Sequence, residues 1–205
     1  MPNPASITLG RFTLAFEPGG KLRQLRVGSD PILHETDYRM PLAGDRFFQP
    51  GGWDECCPSI DPIDGVPTMG LLIAHPPKLR IEPDAVLQTW TPPGWTARRT
   101  WTAPAPDRLR LDFQVEADGQ ARPFLWASHA LFSVRDLVRV TLPDGRALTD
   151  FSADGTSSKS FVSRGAPIRL ERRAIRLLLQ TDQPAGRAAG DRKSTRLNSS
   201  HATLS

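Results

Sequence analysis

The sequence predicts an all-β protein made of antiparallel strands, and three observations support this prediction. Short segments of alternating or β-rich character recur along the chain, separated by turn signals about every eight to twelve residues. The 20 prolines and 16 glycines are spread over the whole chain, where they favour turns. No stretch of about a dozen residues keeps apolar positions at helical spacing without a proline or glycine interrupting it. Many short strands with regular turns are typical of a sandwich or a barrel.

Nine segments have the composition or the alternation of strands. They are residues 7–16, 22–27, 71–74, 78–81, 86–91, 96–102, 108–115, 137–142 and 160–163. Alternation is clearest in residues 108–116, where every second residue from Leu109 to Val115 is apolar. Residues 167–181 fit either a helix or a pair of hairpin strands, and the sequence leaves both open.

The last residues of the chain do not read as natural protein. Residues 191–201 are DRKSTRLNSSH, which is codon for codon the translation of a DNA adapter used in short-read sequencing. We interpret residues 191–205 as an artefactual tail on a partial domain of residues 1–190. A tail never selected to pack is expected to make no strand pairing and to bury little apolar surface. The tail carries three cationic residues and one anionic residue, so without it the formal net charge of the chain falls from +4 to +2.

Charge and hydropathy exclude several classes of partner. No block of Lys and Arg remains outside the tail, so no nucleic-acid partner is predicted. No apolar run approaches the ~18 residues of a membrane span and the N-terminus has no secretory signal, so no membrane partner is predicted. Cys56 and Cys57 are adjacent, where a disulfide would be strained, and two cysteines are too few for a metal cluster. These features predict a cytoplasmic protein in a reducing compartment.

Two segments resemble a known family. Residues 50–70 read PGGWDECCPSIDPIDGVPTMG, similar to the Gly-Trp-Asp-Glu-Cys-x-Pro stretch of a bacterial branch of aldose 1-epimerase-like proteins. Residues 122–145, RPFLWASHALFSVRDLVRVTLPDG, resemble that branch's Phe-x-Trp-x-x-His-x-Leu-Phe segment and the strand after it. SSKSFV at residues 157–162 is a weaker match to a Lys-x-Phe strand. On these motifs, in this order, the chain resembles the aldose 1-epimerase or galactose mutarotase-like superfamily.

The resemblance implies a β-supersandwich, a large stack of antiparallel sheets whose concave face binds a monosaccharide or a sugar phosphate. Family members are isomerases of carbohydrate metabolism that interconvert the α and β anomers of free or phosphorylated sugars. A base takes the proton of the anomeric hydroxyl and an acid protonates the ring oxygen, after which the ring opens, rotates about C1–C2 and closes. No cofactor and no metal are expected for this chemistry.

His129 matches the position of the family's acid. Independently of the resemblance, an imidazole titrates near neutral pH, and Trp126 and Phe132 give this one apolar neighbours in sequence. A structural histidine bonded to a backbone carbonyl is the alternative interpretation. His34 and His75 have no such motif around them, and we interpret them as surface or packing residues.

Trp53, Asp54 and Glu55 are the predicted sugar-binding residues, together with Trp126. Carboxylates accept hydrogen bonds from sugar hydroxyls, and an indole can stack on the apolar face of a pyranose. The alternative places Trp53 in the core as the anchor of a loop, with Asp54 capping the turn.

The sequence departs from the family at two points. Many relatives have Pro-Asp-His-Gly-Glu where residues 67–71 read PTMGL, so Met69 replaces a histidine that helps to hold the sugar. The family's general base, a glutamate late in the domain, has no counterpart, and Glu116 and Glu171 lie in patterns that fit poorly. We therefore expect a domain truncated at its C-terminus that is itself nearly inactive.

Two other functions stay open on the sequence. One is a non-catalytic carbohydrate-binding protein of the same fold, and the other is an accessory β-sandwich of a glycoside hydrolase or lyase. The sequence specifies neither the sugar, nor its phosphorylation, nor the oligomeric state.

Overall fold

The computed structural model describes residues 5–17, 19–37, 39–42, 46–59, 66, 69–119, 125–133, 137–141, 145, 147–148, 168–172, 176–181 and 200–204. The regular secondary structure of these residues consists of β-strands alone, and neighbouring strands pair antiparallel. The strands are β1 (Ala5–Leu9), β2 (Phe12–Phe16), β3 (Leu22–Val27), β4 (Asp30–Pro31), β5 (Met40–Leu42), β6 (Arg46–Phe48), β7 (Trp53–Cys56), β8 (Lys78–Ile81), β9 (Ala85–Trp90), β10 (Trp95–Ala105), β11 (Arg108–Ala117), β12 (Ala127–Ala130), β13 (Leu137–Thr141), β14 (Ala147–Leu148), β15 (Ile168–Arg172), β16 (Arg176–Thr181) and β17 (Ser200–Leu204).

The strands form two large sheets and one small sheet. The first sheet has six strands in the order β1-β2-β3-β7-β12, with β4 paired to β3. The second has nine strands in the order β14-β13-β15-β16-β17-β11-β10-β9-β8, and β5 pairs with β6 separately. Apolar side chains of both large sheets meet in one core, where the rings of Trp53 and Trp101 lie edge to face at 5.0 Å. The fold is an antiparallel β-sandwich, which confirms the predicted fold class.

Period-two alternation explains how the strands supply this core. In β11 the side chains of Leu109, Leu111, Phe113 and Val115 are buried and their neighbours are not, as the sequence predicts. Each large apolar side chain that is fully buried stabilises the fold by about 1.5–3 kcal/mol. The segment that fitted either a helix or a hairpin is a hairpin, because β15 pairs with β16.

Two predicted strands differ from the structure. Residues 7–16 form two strands, because Gly10 at φ 58° turns the chain between them. Residues 71–74 form turns. The Ala74 amide donates to the Leu71 carbonyl, and the His75 amide donates to the Leu72 carbonyl. A run of four apolar residues fits a helical turn as well as a strand, so its pattern alone does not decide. Predicted strand 160–163 lies outside the described residues.

The prediction that the tail makes no strand pairing is wrong. Residues Ser200–Leu204 form β17, which pairs with both β11 and β16. Ladder hydrogen bonds use backbone groups that every residue except proline carries, so a sequence never selected for this fold can still fill a place between two strands. The interpretation of residues 191–205 as an artefact stays a prediction.

Gly52 allows β7 to approach β3 closely. Its φ is 75°, and a Cβ atom built on it would overlap the Leu22 carbonyl oxygen and lie 3.0 Å from Arg23 Cα. We expect Gly52→Ala to lower the free energy of unfolding by about 1–3 kcal/mol, as measured by urea denaturation. Gly28→Ala is the control, because Gly28 has φ 60° but a Cβ there meets no described atom within 4 Å. Equal losses in the two variants would contradict the close approach.

Candidate functional site

Lys21, Asp54 and His129 lie side by side on one face of the first sheet, and we call these three residues the charged row. Lys21 directly precedes β3, Asp54 lies in β7, and His129 lies in β12. Asp54 and His129 are cross-strand partners, so their side chains project from the same face. The Lys21 ammonium reaches that face too, because its Nζ lies 2.8 Å from Asp54 Oδ1.

The Lys21–Asp54 ion pair is largely buried. The ammonium also donates to the Gln49 carbonyl at 2.6 Å and lies 4.4 Å from the centroid of the Phe48 ring. Burial lowers the pKa of Lys21 and raises the pKa of Asp54, while the attraction between the two groups opposes both shifts. Each group therefore depends on the other to stay ionised.

His129 occupies the exposed end of the charged row. The His129 imidazole lowers the pKa of Asp54, but it does so less than Lys21, and burial remains the largest influence on that pKa. Its side chain is exposed, and it lies beside the cleft described below without lining it. The structure thus brings His129 next to Asp54, as the motifs led us to expect, while its role as an acid stays a prediction.

The alternate side chains of β7 project from the opposite face, into the core. Glu55 accepts hydrogen bonds from Arg99 at 2.7 Å and Ser128 at 3.3 Å on one carboxylate oxygen, and from the Trp126 indole at 2.6 Å on the other. The Trp53 indole donates to the Ser128 hydroxyl at 2.5 Å. Trp53 and Glu55 border the cleft, but their polar atoms are already engaged by protein groups. Their assignment to sugar contacts, with that of Trp126, stays a prediction.

An open cleft of about 500 Å³ lies against Lys21 and Asp54. Phe47 and Phe48 form part of one wall, and residues 72–77 form part of another. Phe47 is 64% exposed and is available to a ligand. Clefts of this size, with aromatic walls and a few convergent polar groups, are typical of small-molecule sites.

His75 belongs to the wall formed by residues 72–77, although the sequence favoured a surface or packing role for it. Its Nδ1 atom lies 2.7 Å from the Leu71 carbonyl oxygen. A carbonyl oxygen only accepts hydrogen bonds, so Nδ1 carries the proton and Nε2 is the acceptor nitrogen of the neutral ring. The imidazole can therefore accept a hydrogen bond from a ligand hydroxyl.

Sequence reasoning missed Lys21 and His75 as candidate site residues. Lys21 lies 33 positions before Asp54, and a lone lysine at the start of a strand carries no local signal. His75 has no surrounding motif, and its place in the wall follows from the turns that replace the predicted strand 71–74. Both residues reach the site through long-range packing.

Cys56 and Cys57 are buried, free thiols beside the charged row. Burial, reinforced by nearby carboxylates, raises the pKa of each from the ordinary 9.0 to about 12. The thiolate at a given pH is then about a thousandfold rarer than usual. We expect native protein to react with iodoacetamide far more slowly than the same chain unfolded in guanidinium chloride, as followed by mass spectrometry. Equal labelling rates in the two states would contradict this burial.

Two kinds of feature are absent from the described part of the chain. No three His, Cys, Asp or Glu side chains there are grouped in a way that could hold a metal ion. No helix formed by those residues is long and apolar enough to span a membrane.

Comparisons with known proteins find similarity among solved structures. No protein-family model matches the chain, and no curated protein matches it. Among solved structures, the crystal structure of a GalM/aldose epimerase homologue from C. elegans is similar, at 12% identity and a TM-score of 0.47. That match covers 98% of this chain and 88% of the other. At this level of similarity, it does not indicate which side chains bind or react.

Proposed function

We propose that the protein binds a monosaccharide in the cleft beside Lys21 and Asp54, and that it acts as an aldose 1-epimerase-like isomerase. The observation that carries the proposal is the Lys21–Asp54 ion pair at 2.8 Å against an open cleft of about 500 Å³. The motifs around Asp54 and His129 support the same family of functions from the sequence side.

The chemistry of the cleft suits a sugar. A monosaccharide presents hydroxyls that both donate and accept hydrogen bonds, and Lys21 and Asp54 offer a donor and an acceptor side by side. It also presents apolar C–H faces, and the exposed Phe47 ring offers a flat apolar surface to stack against. His75 adds a hydrogen-bond acceptor on another wall. A charged macromolecule would need a broad surface of one sign, whereas here opposite charges are paired.

Anomer exchange is the finer part of the proposal. His129 lies one strand away from Asp54 on the same face, so a sugar resting on Asp54 would bring its ring oxygen toward the imidazole. A protonated imidazole there could donate to the ring oxygen while another group takes the proton of the anomeric hydroxyl. The general base is expected to be a glutamate late in the domain, a role that Glu116 and Glu171 fit poorly.

A carbohydrate-binding protein without catalysis is the second candidate. The observation that favours it is the engagement of Glu55, whose two carboxylate oxygens are held by Arg99, Ser128 and Trp126. With Met69 in place of a histidine as well, fewer groups in the site are free to move protons. Anomer-exchange measurements separate the two candidates, because a binding protein would bind sugar and leave the exchange rate unchanged.

Replacing Lys21 tests the binding site. We expect Lys21→Met to weaken monosaccharide binding about ten- to a hundredfold, because a hydrogen bond from a charged donor contributes about 1.5–3 kcal/mol. Isothermal titration calorimetry with D-glucose, D-galactose and their 6-phosphates measures the change, with thermal unfolding as the check on folding. Lys78→Met is the matched control, because Lys78 lies exposed on β8. Unchanged affinity in Lys21→Met, or no binding of any sugar by the wild type, would contradict the proposal.

A further inference from the structure

Gln88 and Arg99 form a buried polar pair in the second sheet, on the neighbouring strands β9 and β10. They are cross-strand partners, and each is only 1% exposed. Arg99 Nε donates to Gln88 Oε1 at 2.8 Å, and Trp101 Nε1 donates to the same oxygen at 3.0 Å. Buried polar groups in a sandwich core are costly unless they are bonded, and these are bonded in a fixed geometry.

The same pair reaches across the core to two residues on the side of the first sheet and, through one of them, to a third, and we call these three residues the anchors. Gln88 Nε2 donates to the Gly20 carbonyl at 2.5 Å. Arg99 Nη1 donates to Glu55 Oε1 at 2.7 Å, and that oxygen also accepts from Ser128 Oγ at 3.3 Å. The anchors are therefore Gly20, Glu55 and Ser128.

Each anchor is the chain neighbour of one member of the charged row. Gly20 precedes Lys21, Glu55 follows Asp54, and Ser128 precedes His129. In β7 and β12, adjacent side chains project from opposite faces, so bonds to Glu55 and Ser128 on one face fix the directions of Asp54 and His129 on the other. Gly20 lies before β3, where the bond to its carbonyl holds the backbone that leads into Lys21. One network thus holds the Gly20 carbonyl beside Lys21, and the side chains of Glu55 and Ser128 beside Asp54 and His129.

We propose that Gln88 and Arg99 are positioning residues that hold the charged row in the arrangement required for ligand binding. The inference rests on the proposed function for its ligand, but not for its geometry. Apolar packing between two sheets is non-directional and tolerates sliding, whereas directed hydrogen bonds fix one sheet relative to the other. The pair contacts no ligand itself and acts through the anchors. A displacement of about 1 Å in such a site can cost about 100-fold.

Two conservative variants release different anchors. In Gln88→Glu, both acceptor bonds from Arg99 and Trp101 can persist, but the amide that donates to Gly20 is lost. In Arg99→Lys, the charge opposite Glu55 persists, but one ammonium nitrogen cannot occupy the places of both Nε and Nη1, which bond Gln88 and Glu55 separately. Arg98→Lys is the matched control, because the neighbouring Arg98 faces outward and pairs with Glu116 near the surface.

The experiment reads the geometry and the binding separately. ¹⁵N spectra of the Lys21 ammonium and the histidine rings, recorded without ligand, report the charged row, and the chain has only four histidines to assign. D-galactose is the binding probe, and thermal unfolding confirms that each variant is folded. We expect Gln88→Glu to shift the Lys21 signal, Arg99→Lys to shift both Lys21 and His129 signals, and each to weaken D-galactose binding about tenfold or more.

The outcomes separate this inference from the proposed function. Folded variants whose Lys21 and His129 signals match those of the wild type and of Arg98→Lys would overturn the positioning role, whatever the binding data. Shifted signals with undiminished D-galactose binding would also overturn it, because the row would then not need this arrangement. If the signals of the two variants shift relative to the wild type, but neither the wild type nor the variants bind D-galactose, the positioning geometry would be supported and the proposed function contradicted.

Discussion

His129→Ala is expected to slow the protein-catalysed exchange of sugar anomers by about 10²–10⁴-fold, the range that one general acid or base typically contributes. Polarimetry on freshly dissolved glucose, galactose and their 6-phosphates measures the exchange. Where a longer reading frame supplies the glutamate base that the proposal expects, it is tested beside the 205-residue chain, since Glu116 and Glu171 fit that role poorly. We propose that a longer protein of this kind exchanges anomers, and that the 205-residue chain without that base does so only slowly.

The control for this prediction is His34→Ala, since His34 is also exposed but lies outside the charged row. Equal rates in the His129→Ala and wild-type proteins would exclude His129 as the acid. Full activity in the 205-residue chain would show that the base lies within it. Binding without any exchange, in the 205-residue chain and in a longer protein that supplies the base, would favour the non-catalytic carbohydrate-binding function.

Arg99→Met is expected to lower the free energy of unfolding by about 3–5 kcal/mol. The side chains of Arg99 and Glu55 are 1% and 0% exposed, and removing one partner leaves the other as an uncompensated buried charge. Urea denaturation measures the loss. Adding Glu55→Gln in the same chain should recover much of it, because a neutral amide oxygen can still accept from Trp126 without carrying a charge.

Arg98→Met is the control for the stability measurement. The Arg98–Glu116 pair is largely exposed, and pairs of this kind contribute about 1 kcal/mol or less. A loss in Arg99→Met no larger than the loss in Arg98→Met would show that the buried pair contributes no more than a surface pair.

The sequence predicted those parts of the fold that local patterns encode. The alternation in β11 and the turn residues between strands identified an antiparallel sandwich, because burial of one face follows directly from period two. The pattern did not identify the turns at residues 71–74, where a run of four apolar residues is too short to have a period. Nor did it predict the pairing of β17, which depends on two strands far away in sequence.

The site was predictable only where a motif marks it. The motifs led to Asp54 and His129, which the structure places as cross-strand partners. The same alternation that turns Asp54 outward turns Trp53 and Glu55 inward, so three consecutive residues cannot all reach the same ligand in the same way. Lys21 joins the site through a contact across 33 positions of sequence, which no local pattern encodes.

The central claim, that a sugar binds against the Lys21–Asp54 pair, is tested most directly by titrating the ¹⁵N-labelled 205-residue chain with monosaccharides and mapping the shifted signals. We expect saturable shifts that cluster at Lys21, Asp54, Phe47 and His75, with the residues of β8 unchanged as an internal reference. We also expect these shifts to disappear in the Lys21→Met variant while it remains folded. No saturable shift with glucose, galactose or their 6-phosphates, or shifts confined to another face of the sandwich, would contradict the claim.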